Sequence, residues 1–286
     1  MDCPKLNKVC FISGAPHSGS TLLGLILGSH SKSFYAGEAN KTRFIGNDKI
    51  NGPNEDKACK ICGKNCPIWG DFKYDENVNL YKYLANKTKK SLIIDSTKNV
   101  KWLEKQIEAL IALDSNIEQF LIYLGRDGRA IINSRIRKYK DTNVNQIIEE
   151  WKGHIEKTNR LYDSFEGKKI KIHYEELATN SVEVIKILCN FLDIQYEPNM
   201  LNYFQFEHHI LGGNTGTQSL IVKSQNINGE NSLIHLSERN EYYYKDHPLG
   251  IKLDLRWKEE LDPKIQILFN KLAENLNKEF VWDGSN

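Results

Sequence analysis

The chain has 286 residues, with 39 Lys and Arg against 37 Asp and Glu, a net charge of +2 that gives no reason to expect nucleic-acid binding. Its 40% hydrophobic content supplies a sizeable core and excludes global disorder; the length permits one large α/β domain or two small ones. MDCPKLNKVCF holds no signal-peptide apolar region and no stretch approaches membrane-spanning length, so the expectation is a cytoplasmic protein with reduced thiols.

The first informative stretch is KVCFISGAPHSGSTLLGLILGSH, residues 8 to 30. Val9 to Ile12 read as a buried strand, Ser13 to Gly19 as a turn, and Ser20-Thr21 as the start of a helix. A strand, a glycine-bearing loop and a helix N-terminus together make an anion site, because free amides and the helix dipole both favour negative charge. Gly14, Gly19, Ser20 and Thr21 nearly match the nucleotide-binding pattern G-x-x-x-x-G-K-[ST], but Ser20 stands where that pattern has its lysine. That argues against a nucleoside-triphosphate kinase. Either the site is an ordinary turn, or its cation comes from elsewhere.

Ser33 to Gly37 reads as a second strand, with Glu38 just beyond it, either facing a ligand crevice or solvated in a loop. Residues 40 to 75 form an irregular excursion holding Asn47, Asn51, Gly52, Pro53 and Asn54, then CKICGKNCPIW with Cys59, Cys62 and Cys66. A structural zinc site wants four ligands, and Cys3, Cys10 and Cys189 are distant in sequence. Plain loop packing is therefore preferred to zinc, and zinc to a local disulfide. Asn77 to Lys90 reads as a helix, Ser91 to Asp95 as a third strand, and Val100 to Leu113 as a helix with Ile107, Leu110 and Ile111 in the core. Lys98 falls at the strand's carboxyl end, on the same edge as the loop and Glu38, where a substrate contact is favoured over a solvated strand end.

Phe120 to Leu124 is a fourth strand, followed by GRDGRA and a helix carrying Ser134, Arg135, Arg137 and Lys138. Arg126 and Ser134 could meet one phosphate, since a guanidinium fork matches phosphate oxygens; the competing reading is an exposed helix start with Asp127 capping and Arg129 paired to it. Asn143 to Phe165 is an amphipathic helix with Ile147, Ile148, Trp151, Ile155 and Leu161 inward. Lys169 to His173 is a fifth strand, ending in Tyr174-Glu175-Glu176-Leu177, and Asn180 to Leu192 a helix. Residues 198 to 250 are poorly periodic. Their His208-His209 pair has no carboxylate at metal-ligand spacing, so no metal is assigned to it. A last helix starts at Pro263. Alternating strands and helices predict an α/β fold: a P-loop-like domain with a central, mostly parallel sheet flanked by helices on both faces.

At this point the chain resembles the sulfotransferases. GAPHSGSTLL is similar to their 5′-phosphosulfate loop, and YLGRDGRAIINSR to their 3′-phosphate motif, an arginine followed eight residues later by a serine. Loop, G-E, lysine after the third strand, R-D-G-R-A and H-Y-E recur in the order seen in tyrosylprotein sulfotransferases and related bacterial enzymes, over roughly residues 8 to 195. More loosely, the tail matches the bacterial members through His209 to Asn214 and LDLRW.

The resemblance implies a donor, 3′-phosphoadenosine 5′-phosphosulfate, whose sulfuryl group passes to an acceptor hydroxyl or amine. It implies that His17, Ser18, Gly19, Ser20 and Thr21 hold the phosphosulfate, with Arg126, Ser134 and Lys138 at the 3′-phosphate and Tyr174 lining the donor site. Glu38 matches the general base and Lys98 the cation that stabilises the transferring group. The family usually has Arg or Lys at the position of His17; a bound phosphosulfate is expected to keep this histidine protonated and let it assist the leaving oxygen. No metal is required. The domain would span 1–286, with an excursion at 40–90 and a tail at 198–260 forming the acceptor pocket. Carbohydrate, lipid, small molecule and protein tyrosine stay open as acceptors, and the oligomeric state is unreadable. A P-loop kinase, with Asp95 as its magnesium-holding acid, and a non-catalytic nucleotide- or glycan-binding relative are the alternatives.

Overall fold

Five strands make one sheet in the order β2-β3-β1-β4-β5, every neighbouring pair parallel. They are β1 (Lys8–Ser13), β2 (Ser33–Tyr35), β3 (Leu92–Asp95), β4 (Glu118–Gly125) and β5 (Lys168–His173). The computed structural model describes residues 5–45, 57–139, 141–227 and 232–284. Asn47, Asn51, Gly52, Pro53, Asn54 and Cys3 lie outside them. β1 is central: every residue from Val9 to Ser13 is buried, as a strand covered on both faces requires.

The crossovers follow the expected order. α1 (Ser20–Gly28) links β1 to β2, α2 (Leu80–Thr88) precedes β3, and α3 (Val100–Leu113) leads to β4. α4 (Gly128–Lys138) and α5 (Val144–Ser164) lead to β5, and α6 (Tyr174–Thr179) and α7 (Ser181–Phe191) follow it. Side chains set several ends. Asn79, Asn99, Asn143 and Asp262 cap α2, α3, α5 and the last helix by accepting first-turn amides. On α5 the inner stripe Ile147, Ile148, Trp151, Ile155 and Leu161 is buried, and Trp151 packs edge-on against Phe269 at 5.1 Å.

Four expectations need correction. The second strand stops at Tyr35, because Gly37 (φ +81) turns the chain and pairs with Leu211 in an isolated parallel bridge. The helix read as Asn77 to Lys90 is shorter, from its Asn79 cap to Thr88, with Lys89 left-handed. Ile111 is 57% exposed; Leu103 and Leu110 are the buried residues of α3, and Ile111 lies one step round the helix. The aperiodic tail holds a 3-10 stretch at Pro198–Gln205, then α8 (Thr215–Gln225), α9 (Glu238–Lys245) and α10 (Trp257–Glu260) before α11 (Pro263–Asn277). α8 hides from a periodicity reading because its residues are mixed in polarity around the whole helix, although Asn214 caps it.

In the excursion, Trp69 and Phe72 are buried beside Phe34 of β2. Cys59, Cys62 and Cys66 come together there, and His209, 147 residues beyond Cys62, joins them. Among the described residues no helix is long and apolar enough to cross a membrane.

α1 lies so close to β2 that a Cβ on Gly24 would sit 2.3 Å from the Tyr35 ring, which is pinned by a 2.6 Å hydrogen bond to Ser96. Gly24→Ala gains about 1 kcal/mol of helix propensity. Overpacking costs about 1–3 kcal/mol. Urea unfolding should show a net loss of stability; a stabilised Gly24→Ala would mean that α1 sits further from β2.

Candidate active site

The loop between β1 and α1 turns at Gly19, whose φ of +95 and contact with Tyr174 exclude a side chain: a Cβ would meet the ring at 2.6 Å. No side chain among the described residues caps α1, so its first-turn amides and dipole face the cleft above. His17 is left-handed (φ 72); its carbonyl accepts from Arg126 Nη1 at 2.9 Å, and its Nδ1 shares a 3.0 Å hydrogen bond with Ser134 Oγ. Ser18 differs from its neighbours. It is fully buried, and its hydroxyl finds no partner among the described residues, so the loop offers its backbone rather than its side chain.

A second cationic cradle forms where β4 meets α4. Arg126 is 8% exposed, lies 4.2 Å over the Tyr174 ring and pairs with Asp254 at 3.3 Å. Its Nε has no partner among the described residues. Asp127 caps α4 through the Arg129 amide at 2.9 Å and also takes the Arg129 guanidinium, as the competing reading of GRDGRA expected, but it is fully buried rather than at an exposed helix start. Ser134 and Lys138 follow on α4, and both line the same cleft as Arg126.

Glu38 and Lys98 line that cleft too, brought there by one buried carboxylate. Asp95, at the end of β3, accepts from the backbone amides of Ala39 at 3.2 Å and Thr97 at 2.8 Å. Its other oxygen takes the Tyr81 hydroxyl at 2.8 Å and the Trp102 indole at 3.4 Å. Each amide is next in sequence to a site residue, so the turns bearing Glu38 and Lys98 are set from one point. With both oxygens committed and no exposed surface, Asp95 has no place for magnesium, which removes the acid that the kinase alternative needs. Lys98 Nζ donates to the Ile12 carbonyl of β1 at 3.2 Å, and burial lowers its pKa to about 8 despite the charges of Glu38 and Asp95.

The tail closes the cleft. The Leu211 carbonyl accepts from the Glu38 amide at 2.8 Å, and the Glu38 carboxylate lies against Gly212. Asn214 N–H donates to Thr21 Oγ1 at 2.9 Å. Tyr243, Lys252, Asp254 and Arg256 line the cleft beside Arg126, with Arg256 stacked on Tyr243 at 3.6 Å and bonded to Asp254 at 2.7 Å. Burial would raise the Asp254 carboxyl, but the hydrogen bond from Arg256 and the charges of Arg126 and Arg256 hold it well below the usual carboxylate range. The sequence reading missed these four residues. LDLRW carried a signal for two of them, Asp254 and Arg256, but nothing in it said which loop they would meet.

His17, Gly19, Ser20, Thr21, Glu38, Lys98, Arg126, Ser134, Lys138 and Tyr174 thus line one cleft. Residues 10–198 match the model of the sulfotransferase family Sulfotransfer_3. The chain belongs to that family. A candidate protein-tyrosine sulfotransferase of Caenorhabditis briggsae is 26% identical over 223 residues, 72% of this chain and 71% of the relative. In fold, this sulfotransferase is similar to the sulfotransferase domain from the curacin biosynthetic pathway, with a TM-score of 0.55, 21% identity and coverage of 94% and 98%. Mouse sulfotransferase SULT7A1, solved in complex with PAP, gives a TM-score of 0.51 at 14% identity, covering 96% of this chain and 89% of the mouse one.

This sulfotransferase also buries the carboxyl of Glu175. Glu175 accepts the Asp127 amide at 3.2 Å, and burial raises its pKa from 4.5 to about 7 although Arg126 opposes the shift. An acid with a raised folded pKa binds more protons folded than unfolded between those two values, so stability is fullest below pH 4.5 and falls as pH rises toward 7. At 1.36 kcal/mol per unit the loss is at most about 3 kcal/mol. Glu175→Gln keeps the acceptor and should flatten this part of the stability–pH curve in denaturant titrations; an unchanged slope would assign the loss to other groups.

Proposed function

We propose that this sulfotransferase moves the sulfuryl group of 3′-phosphoadenosine 5′-phosphosulfate to an acceptor hydroxyl or amine by in-line displacement. One observation carries the reading: the loop at the α1 N-terminus and the Arg126–Ser134 pair open into one cleft, and Glu38 and Lys98 line that same cleft. Two such anion-binding groups in one cleft suit a nucleotide with anions at both ends, and the mouse relative of the same fold was solved with PAP.

The first-turn amides of α1, with the Ser20 and Thr21 hydroxyls and the Ser18 and Gly19 backbone, hold the 5′-phosphosulfate. Arg126, Ser134 and Lys138 hold the 3′-phosphate, with Tyr174 beneath Arg126 keeping its guanidinium flat and Arg256 adding charge. Glu38 takes the acceptor's proton as the acceptor atom bonds to sulfur. The sulfur–oxygen bond to the phosphate breaks, and the electron pair leaves on that phosphate oxygen. Lys98 and His17 meet the charge that develops there. Lys98 reaches the carboxyl end of β1 from β3, which supplies the cation that Ser20 does not. The name of the nematode relative makes a tyrosine hydroxyl the first acceptor to offer.

The test is transfer of label from sulfur-35 donor to a panel of tyrosine peptides, phenols, glycans and lipids, with calorimetric titration of adenosine 3′,5′-bisphosphate beside it. Glu38→Gln should lower kcat about 10²- to 10⁴-fold while leaving the bisphosphate affinity unchanged. Failure of the wild-type protein to bind the bisphosphate ends the proposal.

Lys98 sets a pH limit. Its cation is present below its pKa of about 8 and lost above it, so kcat/KM should fall on the alkaline side with an apparent pKa near that value. Lys98→Arg should carry this limb upward, because arginine stays protonated. A limb unmoved in Lys98→Arg would remove Lys98 from the reacting centre.

A further inference from the structure

Away from the cleft, the excursion and the tail meet at a cluster that sulfuryl transfer does not use. The sulfur atoms of Cys59, Cys62 and Cys66 and a ring nitrogen of His209 all lie within 4.8 Å of one another. His209 Nδ1 is 3.3 Å from Cys62 Sγ and 3.5 Å from Cys66 Sγ. A tetrahedral zinc with Zn–S of about 2.3 Å and Zn–N of about 2.0 Å sets nitrogen and sulfur about 3.6 Å apart and two sulfurs about 3.8 Å apart. The nitrogen–sulfur distances to Cys62 and Cys66 already come close to this, and no pair needs to draw in by more than about 1 Å.

The surroundings are those of a built site. An antiparallel bridge joins Cys59 to Gly63, whose amide donates to the Cys59 carbonyl at 2.8 Å, so C-x-x-C turns back with both thiols on one loop. The Gly70 amide bonds the Cys66 carbonyl at 2.7 Å, and the Trp69 indole donates to the His209 carbonyl at 2.7 Å. Glu207 lies 2.9 Å from His209 Nε2 and engages that nitrogen, which turns Nδ1 toward the thiols. A carboxylate on the far nitrogen is the usual support of a ligating histidine.

We propose that Cys59, Cys62, Cys66 and His209 bind one zinc ion in a closed tetrahedral site. Three soft thiolates and an imidazole select zinc over magnesium or calcium. Four protein ligands leave no open position, so the role is structural. The thiols give up their protons to the medium as the metal enters. The link joins residues far apart in the chain, and His209 stands two positions before Leu211, which exchanges hydrogen bonds with Ala36 and Glu38. The ion would therefore clasp the excursion to the segment that holds the Glu38 turn. This inference stands apart from the sulfuryl-transfer reading, and neither depends on the other.

The full chain, purified without a metal-affinity tag from zinc-supplemented cells, should carry about one zinc per chain by plasma mass spectrometry. Cobalt substitution should bring the visible d–d bands and thiolate charge-transfer absorption of a tetrahedral, sulfur-rich site. Stripping with phenanthroline should lower Tm, and adding zinc back should restore it. Cys62→Ser and His209→Ala should lose the metal, whereas His209→Cys should keep it. Should the variants fail to fold, the metal content and cobalt spectrum of the wild-type chain decide the matter. Zinc below about one tenth of an equivalent with no cobalt spectrum, or two of these thiols joined in a disulfide under reducing purification, overturns the proposal.

Discussion

Asp95 is the buried carboxylate on which the rest of the site depends. Two backbone amides, a phenol and an indole all donate to it, and none of its surface is exposed. Burial raises its pKa, and the donors, Thr97 first, pull it back down. Leaving any of those donors without its acceptor would cost about 1–3 kcal/mol. The arrangement is therefore stiff, and its stiffness passes to the two side chains next along the chain. Glu38 belongs to the turn after β2 and Lys98 to the turn after β3, and neighbouring parallel strands present both turns at one edge. One acceptor at the end of β3 ties the two turns together.

The second constraint is electrostatic. Arg126 is almost wholly buried, which a lone guanidinium tolerates poorly, and Asp254 arrives from the tail to balance it. Arg256 then balances Asp254 in turn. An anion entering the cleft meets a network with surplus positive charge, held by the Tyr174 ring and the His17 carbonyl rather than by solvent. The tail thus lines the cleft as the loop does. Beside Glu38 it is attached through the Leu211 bridge and the Gly212 approach, with the Asn214 bond to Thr21 close by in sequence.

The geometry also accounts for the serine at position 20. In a nucleoside-triphosphate site the loop lysine reaches forward to the terminal phosphates. In this chain Lys98 comes from the neighbouring strand and lies against the β1 carbonyl edge. Lys98 thus lines the cleft from the side occupied by Glu38, where the proposed transfer would use a cation. The acid that could have held magnesium is consumed in positioning that pair.

Local chemistry carried much of this into the sequence. Apolar runs marked β1, β3 and β4, because a parallel strand covered on both faces needs uninterrupted hydrophobic residues, whereas β5, an edge strand, shows only the alternation of KIKIH. The glycine loop, the arginine with its later serine, and the residues after β2 and β3 could be read because strand ends and helix starts put functional groups at fixed offsets. What the sequence could not carry was whatever depends on chain segments meeting from a distance. Asp254 finds Arg126 across 128 residues, and His209 finds Cys62 across 147. Neither pair leaves a periodic trace, since each contact is made by a single side chain on an irregular loop. Ile111 went the other way: its residue type suggested a core position, and its place on the helix put it in solvent. Residue order determined the strands, the loop and the candidate roles; only the folded chain decided which charges met, because burial and pairing are properties of neighbours in space.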